Sequence, residues 1–202
     1  MESKKDSIHR VTSAILNKIN TTIETSRTKA LLANIRNSIN KNISNNIESM
    51  SYLFSNLPEE FLGNSIKLCY EEEAIITAIQ LYAIHQQGAK YSVLKLDYEK
   101  DERRQNIGDA LSTLRGDDNE SIDKRFNVMI TSSSFKELKH HLRQLIKILK
   151  AKSDAKVDYA KLSEDLYWFL LGKKDGVKLS WSRSYYRIRK NKKLEGEIKN
   201  EN

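Results

Sequence analysis

One proline and seven glycines in 202 residues leave this chain almost no means of building a β-protein. Sheets of short strands need tight turns, and tight turns draw on glycine and proline. Pro58 is the one proline, so obligatory helix breaks are rare. The apolar residues agree, recurring at helical spacing along nearly the whole length. The fold class expected is all-α: two small helical bundles joined by a short linker. The length suits one large domain or two small ones, and either can bury a core without disulfides.

Residues 5–20 place Ile8, Val11, Ile15 and Ile19 on one face. A second helix opens near Ser26, a good N-cap, with Leu31, Leu32, Ile35 and Ile39 along one side. A third starts near Ser44, carries Ile47, Met50, Leu53 and Phe54, and ends near Leu57, because the residue before a proline avoids the α region. Segment 71–88 opens with three glutamates, which suit the positive end of a helix, and closes on Gly88. Its apolar middle marks it as the central helix of a first bundle over residues 1–90. Residues 91–104 break the pattern. Tyr91 to Leu96 has a strand-like composition, but one strand has nothing to pair with, so the segment reads as the linker.

A second bundle is expected over residues 105–190. Helices resume at Asn106 with Ile107, Ala110, Leu111 and Leu114, and again after Ser121 with Ile122, Phe126, Met129 and Ile130. Over 135–151, Phe135, Leu138, Leu142, Leu145 and Leu149 step by three and four. Tyr159, Leu162, Leu166 and Phe169 repeat that spacing. A final helix or arm holds Trp181, Tyr185 and Tyr186, and residues 191–202 read as a disordered tail.

Thirty-five Lys and Arg stand against 27 Asp and Glu, a formal net charge of +8. Such an excess favours a polyanion partner through Coulomb attraction and counterion release. The bland alternative is a basic surface that serves only solubility. Cys69 is the sole cysteine, which removes a disulfide framework and a zinc cage. The first residues carry no signal-peptide pattern and no stretch approaches the ~20 apolar residues of a membrane span. A cytoplasmic chain with no membrane partner is expected. No GxxxxGK, GxGxxG, GxSxG or HExxH occurs. His140 and His141 are helix neighbours ~100° apart, so they cannot share an ion. The expectation is therefore no enzyme, no metal and no cofactor.

The clearest helix also carries a second stripe. Lys136, Lys139, Arg143, Lys147 and Lys150 step by three and four beside the apolar row. They span ~21 Å at 1.5 Å per residue. Such a row can track a phosphate backbone, and Glu137 is the one acid in that helix. A solvated helix face is the alternative. Arg115, Lys124 and Arg125 can extend the same surface if their helices pack as neighbours, although Arg115 can equally cap its own helix. Segment 173–193 holds nine cations and one acid. There Trp181 and Tyr185 read as core, while Arg183 and Arg187 remain candidate contacts. Arg27, Lys29, Arg36 and Lys41 cluster in the first half without forming one row.

The pieces IGDALSTLR, IDKRFNVMI, FKELKHHLRQLIKILK and VDYAKLSEDLYWFL, followed by a basic segment with Trp181 and Tyr185-Tyr186, come in an ordered and spaced series. In that series the chain resembles the CasB family, the small subunit of the type I-E CRISPR surveillance complex known as Cascade. The resemblance covers residues 105–187 well and the first half loosely, through RTKALLANIR. It implies an all-helical, non-catalytic subunit that pairs with a second copy of itself beside other subunits. It also implies backbone contacts to guide RNA and target DNA that steady the R-loop, while base pairing reads the sequence. The family's basic positions map onto Arg36, Arg115, Lys124, Arg125 and Arg143. Asp109 departs from the family pattern, as does Gln144, where a second arginine is common. Two other functions fit the residues: a stand-alone helix-turn-helix regulator built on 115–130, and an adaptor whose basic face docks an acidic protein.

Overall fold

The computed structural model describes residues 4–39, 47–99, 102–116 and 119–187. Lys41, the Ser44 cap and the tail at 191–202 lie outside the described residues. Nine α-helices follow one another among those described: α1 (Lys4–Thr21), α2 (Ser26–Ser38), α3 (Ile47–Phe54), α4 (Tyr70–Gln86), α5 (Ile107–Leu111), α6 (Glu120–Thr131), α7 (Phe135–Lys152), α8 (Tyr159–Leu170) and α9 (Lys174–Tyr186). Single 3₁₀ turns stand at Glu59–Phe61 and Ser112–Leu114. The fold is all-α, as the spacing of apolar residues implies. α3 stops at Phe54, and Pro58 then serves as the N-cap of the first 3₁₀ turn.

Local chemistry sets the helix starts. Thr25, Ser134 and Asp158 accept the N–H of Thr28, Glu137 and Lys161 with their side-chain oxygens, opening α2, α7 and α8. At α4, Glu72 turns back to accept the Cys69 N–H at 2.7 Å and the Gly63 N–H at 3.1 Å. Its carboxylate thus satisfies donors that the first turn cannot use.

α4 and α8 form the axis of the molecule. α4 packs on α8, α7, α2 and α1, and α8 also holds α1 and α9. The buried apolar side chains, from Ile8 to Tyr185, make one cluster. The core therefore runs across the 91–104 segment. α4 explains this, because it is apolar on nearly every side and needs covering helices from both halves of the chain. Segment 91–96 also finds the partner that its sequence did not reveal. Leu94 pairs in parallel with Val157, through Lys95 N–H to Val157 O at 3.0 Å and Val157 N–H to Val93 O at 2.9 Å. Leu94 is buried there.

Polar groups that enter this core do so mainly in pairs. Thr12 on α1 meets Ser163 on α8 at 2.8 Å. His85 on α4 is 2% exposed, with its Nδ1 3.0 Å from the Tyr159 hydroxyl. Burial, aided by the charge of Lys150, pulls the imidazole from its ordinary 6.5 down to about 4. The folded protein thus holds His85 neutral where the unfolded chain would protonate it. This stability is whole above pH ~6.5 and drains away as pH falls toward 4, to a total of about 3 kcal/mol. Urea midpoints across that window should fall more steeply for the native chain than for His85→Gln. Parallel curves would remove the assignment.

At the other end of the core α5 lies against α9. Asn106 caps α5, accepting the Gly108 N–H at 2.9 Å, and its Nδ2 donates to Ser180 O at 3.3 Å. Asp109 returns a carboxylate oxygen to the Asn106 N–H at 2.9 Å and pairs with Arg103 at 2.7 Å. The acid that departs from the CasB pattern at 109 is thus a buried capping residue. Trp181 and Tyr185 are fully buried, in keeping with their reading as core residues. Tyr185 stacks on Phe126 with ring centres 3.7 Å apart, and the Trp181 indole N–H donates to Asp165 at 2.7 Å.

Candidate nucleic-acid interface

α7 owes its position to one stripe and its surface chemistry to the next. Leu138, Leu142, Leu145, Ile146 and Leu149 are buried against the core. The cationic row follows beside them: Lys136, Lys147 and Lys150 are exposed, and Lys139 and Arg143 are half-buried. Glu137 is not a counter-ion to this row. Its carboxylate accepts the Ser133 N–H at 2.8 Å, which holds it below the ordinary carboxylate range. Lys139 pairs instead with Glu73 of α4 at 2.9 Å and lies 5.0 Å from the centre of the Phe135 ring. Among the described residues, the buried Nε of Arg143 has no hydrogen-bond partner.

Between α4 and α7 runs a groove of about 440 Å³. Ile39, Met50, Ile76 and Leu81 contribute apolar lining, and Lys136, Lys139 and Arg143 add cations. At the other end of α7 stands Lys150, whose Nζ donates to Gln87 at 3.3 Å. Arg36 of α2 is close enough for the two charges to repel. Burial pulls both groups below their ordinary values, and Arg36 lowers Lys150 further. Neither forms an ion pair among the described residues; Arg36 donates only to the Leu32 carbonyl, at 3.4 Å. Lys29, Lys90 and Lys156 line the two adjoining depressions, which share Gln87 to Lys90. Lys90 and Lys156 lie in loops where no helical period announces them.

The remaining candidates gather elsewhere. Arg115 closes the 3₁₀ turn through its backbone N–H, which donates to Ser112 O at 3.2 Å, but its side chain turns elsewhere. It meets Asp123 of α6 through Nε at 3.1 Å and Nη2 at 3.3 Å. Its guanidinium also lies 5.4 and 5.1 Å from the ring centres of Tyr185 and Tyr186. Lys124 pairs with Glu120 one turn away, beside exposed Arg125. Arg183 is exposed on α9. Arg187, just past α9, lines a basin with Lys95, Arg103 and Lys156. The structure thus joins the α7 row to Arg36 and gives Arg115 a structural anchor.

Among the described residues no group of three or more His, Cys, Asp or Glu is placed to hold a metal ion. The Cys69 thiol donates to the Phe61 carbonyl at 3.1 Å, and burial pushes it up to about 11, far from a reactive thiolate. No helix among the described residues is long and apolar enough to cross a membrane.

Two crystal structures of CasB share this fold. That from Thermobifida fusca superposes with a TM-score of 0.64 at 21% identity, covering 89% of this chain and 98% of the other. CasB from Thermus thermophilus gives 0.57 at 20% identity, covering 87% and 97%. TTHB189, a CRISPR-associated protein of the Cse2 family, also from Thermus thermophilus, gives 0.58 at 22% identity with the same coverage. No sequence among curated proteins matches the chain. The family profile described as CRISPR-associated protein Cse2 matches residues 31–186, which include α4, the whole of α7 and Arg36. The chain therefore belongs to the Cse2 (CasB) family of CRISPR-associated proteins.

Proposed function

We propose that this protein is a non-catalytic small subunit of a type I-E CRISPR surveillance complex in the cytoplasm, and that it steadies the R-loop by gripping nucleic-acid backbone. In this role it sits beside the other subunits and a second copy of itself, and it contacts guide RNA and target DNA through their phosphates. The observation that carries the proposal is the line of cations along α7, with Arg36 near enough to lower Lys150 and neither of these two in an ion pair among the described residues. Like charges held close together cost free energy unless an anion comes between them. A phosphodiester chain supplies that anion at every step, whatever its sequence.

Reversing two charges tests this. Arg143→Glu with Lys147→Glu, assembled into the complex, should weaken target-DNA binding roughly 10- to 100-fold near physiological salt. The slope of log affinity against log salt should shrink by about two, one for each phosphate no longer neutralised. Affinity and slope both unchanged would sink the proposal, and an acidic protein would then be the better partner for the basic face. Arg115→Glu should behave differently, lowering thermal stability by breaking the Asp123 pair.

A further inference from the structure

We propose that the groove between α4 and α7 seats one unstacked nucleobase of a single strand whose neighbouring phosphates lie on the α7 cations. The inference rests on the backbone-gripping function above and adds what the row alone cannot specify, the form of nucleic acid preferred. A duplex hides the faces of its bases, so a cationic row treats duplex and single strand much alike. A single strand exposes those faces, and they gain by leaving water for an apolar cleft.

Three observations converge on such a seat. The cleft, at about 440 Å³, falls within the range of small-ligand sites and lies beside the cationic row rather than apart from it. Its apolar lining comes from four places in the chain, with Ile39 just past α2, Met50 on α3, Leu68 ahead of α4, and Ile76 and Leu81 on α4. Unused polar groups also meet there. The Arg143 Nε is a buried donor without an acceptor among the described residues. Gln80 spends its Nε2 on Ser38 at 2.9 Å, and its amide oxygen accepts no hydrogen bond among the described residues. One donor and one acceptor beside an apolar lining suit a base edge, which carries carbonyl acceptors and amino or imino donors. Charge selects the same guest, because the acid in the lining, Glu73, is already paired with Lys139. Among the described residues no Phe, Tyr or Trp lines the cleft, so the base is held by its edge and by apolar contact rather than by ring stacking.

The test compares two labelled strands of about 12 nucleotides, one of thymidines and one of abasic sites with the same phosphates, binding to the full-length protein. The native chain should hold the thymidine strand roughly three- to tenfold more tightly. Gln80→Trp, which fills the cleft from α4, should bring the thymidine strand down to the abasic level and leave the abasic strand unchanged. Gln80→Leu, close in size, should lose part of the preference and serves if the larger side chain prevents folding. A 5-iodouracil strand should photocrosslink to peptides of α4 or α7. Equal, salt-sensitive binding of both strands overturns the seat and leaves the backbone function standing. Binding of neither strand overturns both. If Gln80→Trp loosens the assembled complex without changing either strand's affinity, the cleft holds a partner's apolar side chain and the seat is overturned.

Discussion

Replacing Gly108 with alanine should lower the melting temperature by roughly 10 °C, the largest effect expected from so small a change. A Cβ built on Gly108 would lie 2.2 Å from the Trp181 carbonyl oxygen and 3.0 Å from its carbon. That oxygen belongs to the backbone of α9, and the Trp181 side chain is fully buried. It cannot turn aside as a flexible side chain would. Either α9 backs away, or α5 loses its cap on Asn106, whose side-chain oxygen would also stand 3.0 Å from the new atom. Overpacking costs about 1–3 kcal/mol where neighbours can adjust, and backbone against backbone lies at or beyond the upper end. Each kcal/mol is worth about 2–4 °C in a chain of this size. Gly116→Ala, with no atom of the described residues within 4 Å of the added carbon, is the matched control and should melt with the native chain. Superimposable melts for all three proteins would show that α5 and α9 do not make this contact.

Lys161→Met should cost about 3 kcal/mol at neutral pH. The ammonium of Lys161 reaches Glu164 at 2.9 Å and Asp165 at 2.7 Å, on carboxylates that are almost wholly buried. Methionine keeps most of the volume and removes the charge. Asp165 would then retain only the Trp181 indole N–H. Removing one member of a buried pair exposes the desolvation cost of the other, which is why the effect exceeds that of a surface ion pair. The sign of the pH dependence identifies the cause. Burial already raises the Asp165 carboxyl above its ordinary value, with Lys161 opposing the rise. Without Lys161 it rises further, so the folded variant binds a proton that the unfolded chain releases. The variant should therefore recover part of its deficit as pH falls from 7 toward 5, measured by urea unfolding beside the native chain. A deficit constant with pH would point to lost packing instead.

The helices were legible because each buries one stripe, and a stripe leaves a period of three and four in the sequence. α7 is the plainest case, and the opening glutamates of α4 were legible for a related reason, since helix ends have their own chemistry. What the sequence hid depends on distant partners. Leu94 pairs with Val157, a contact with no local signature. Glu137, the acid beside the cationic row, is engaged by the Ser133 N–H, while the acid that does meet the row, Glu73, comes from another helix. Arg115 does close its 3₁₀ turn, but the claim of Asp123 and two tyrosines on its guanidinium comes from α6 and α9 and leaves no local mark. The groove between α4 and α7 was invisible for the same reason: its lining comes from separate parts of the chain that meet only after folding.

The placement of α8 bears on how the chain is made. α1 and α4 leave the ribosome early, yet the helix that covers them both is encoded at residues 159–170. Until then the parts of α1 and α4 that α8 covers stay open to water and to other chains, a condition that invites chaperones and aggregation. A ribosome that stalls before α8 would release a fragment unable to close its own core. A chain truncated before α8 should therefore be cleared by the cell rather than assembled.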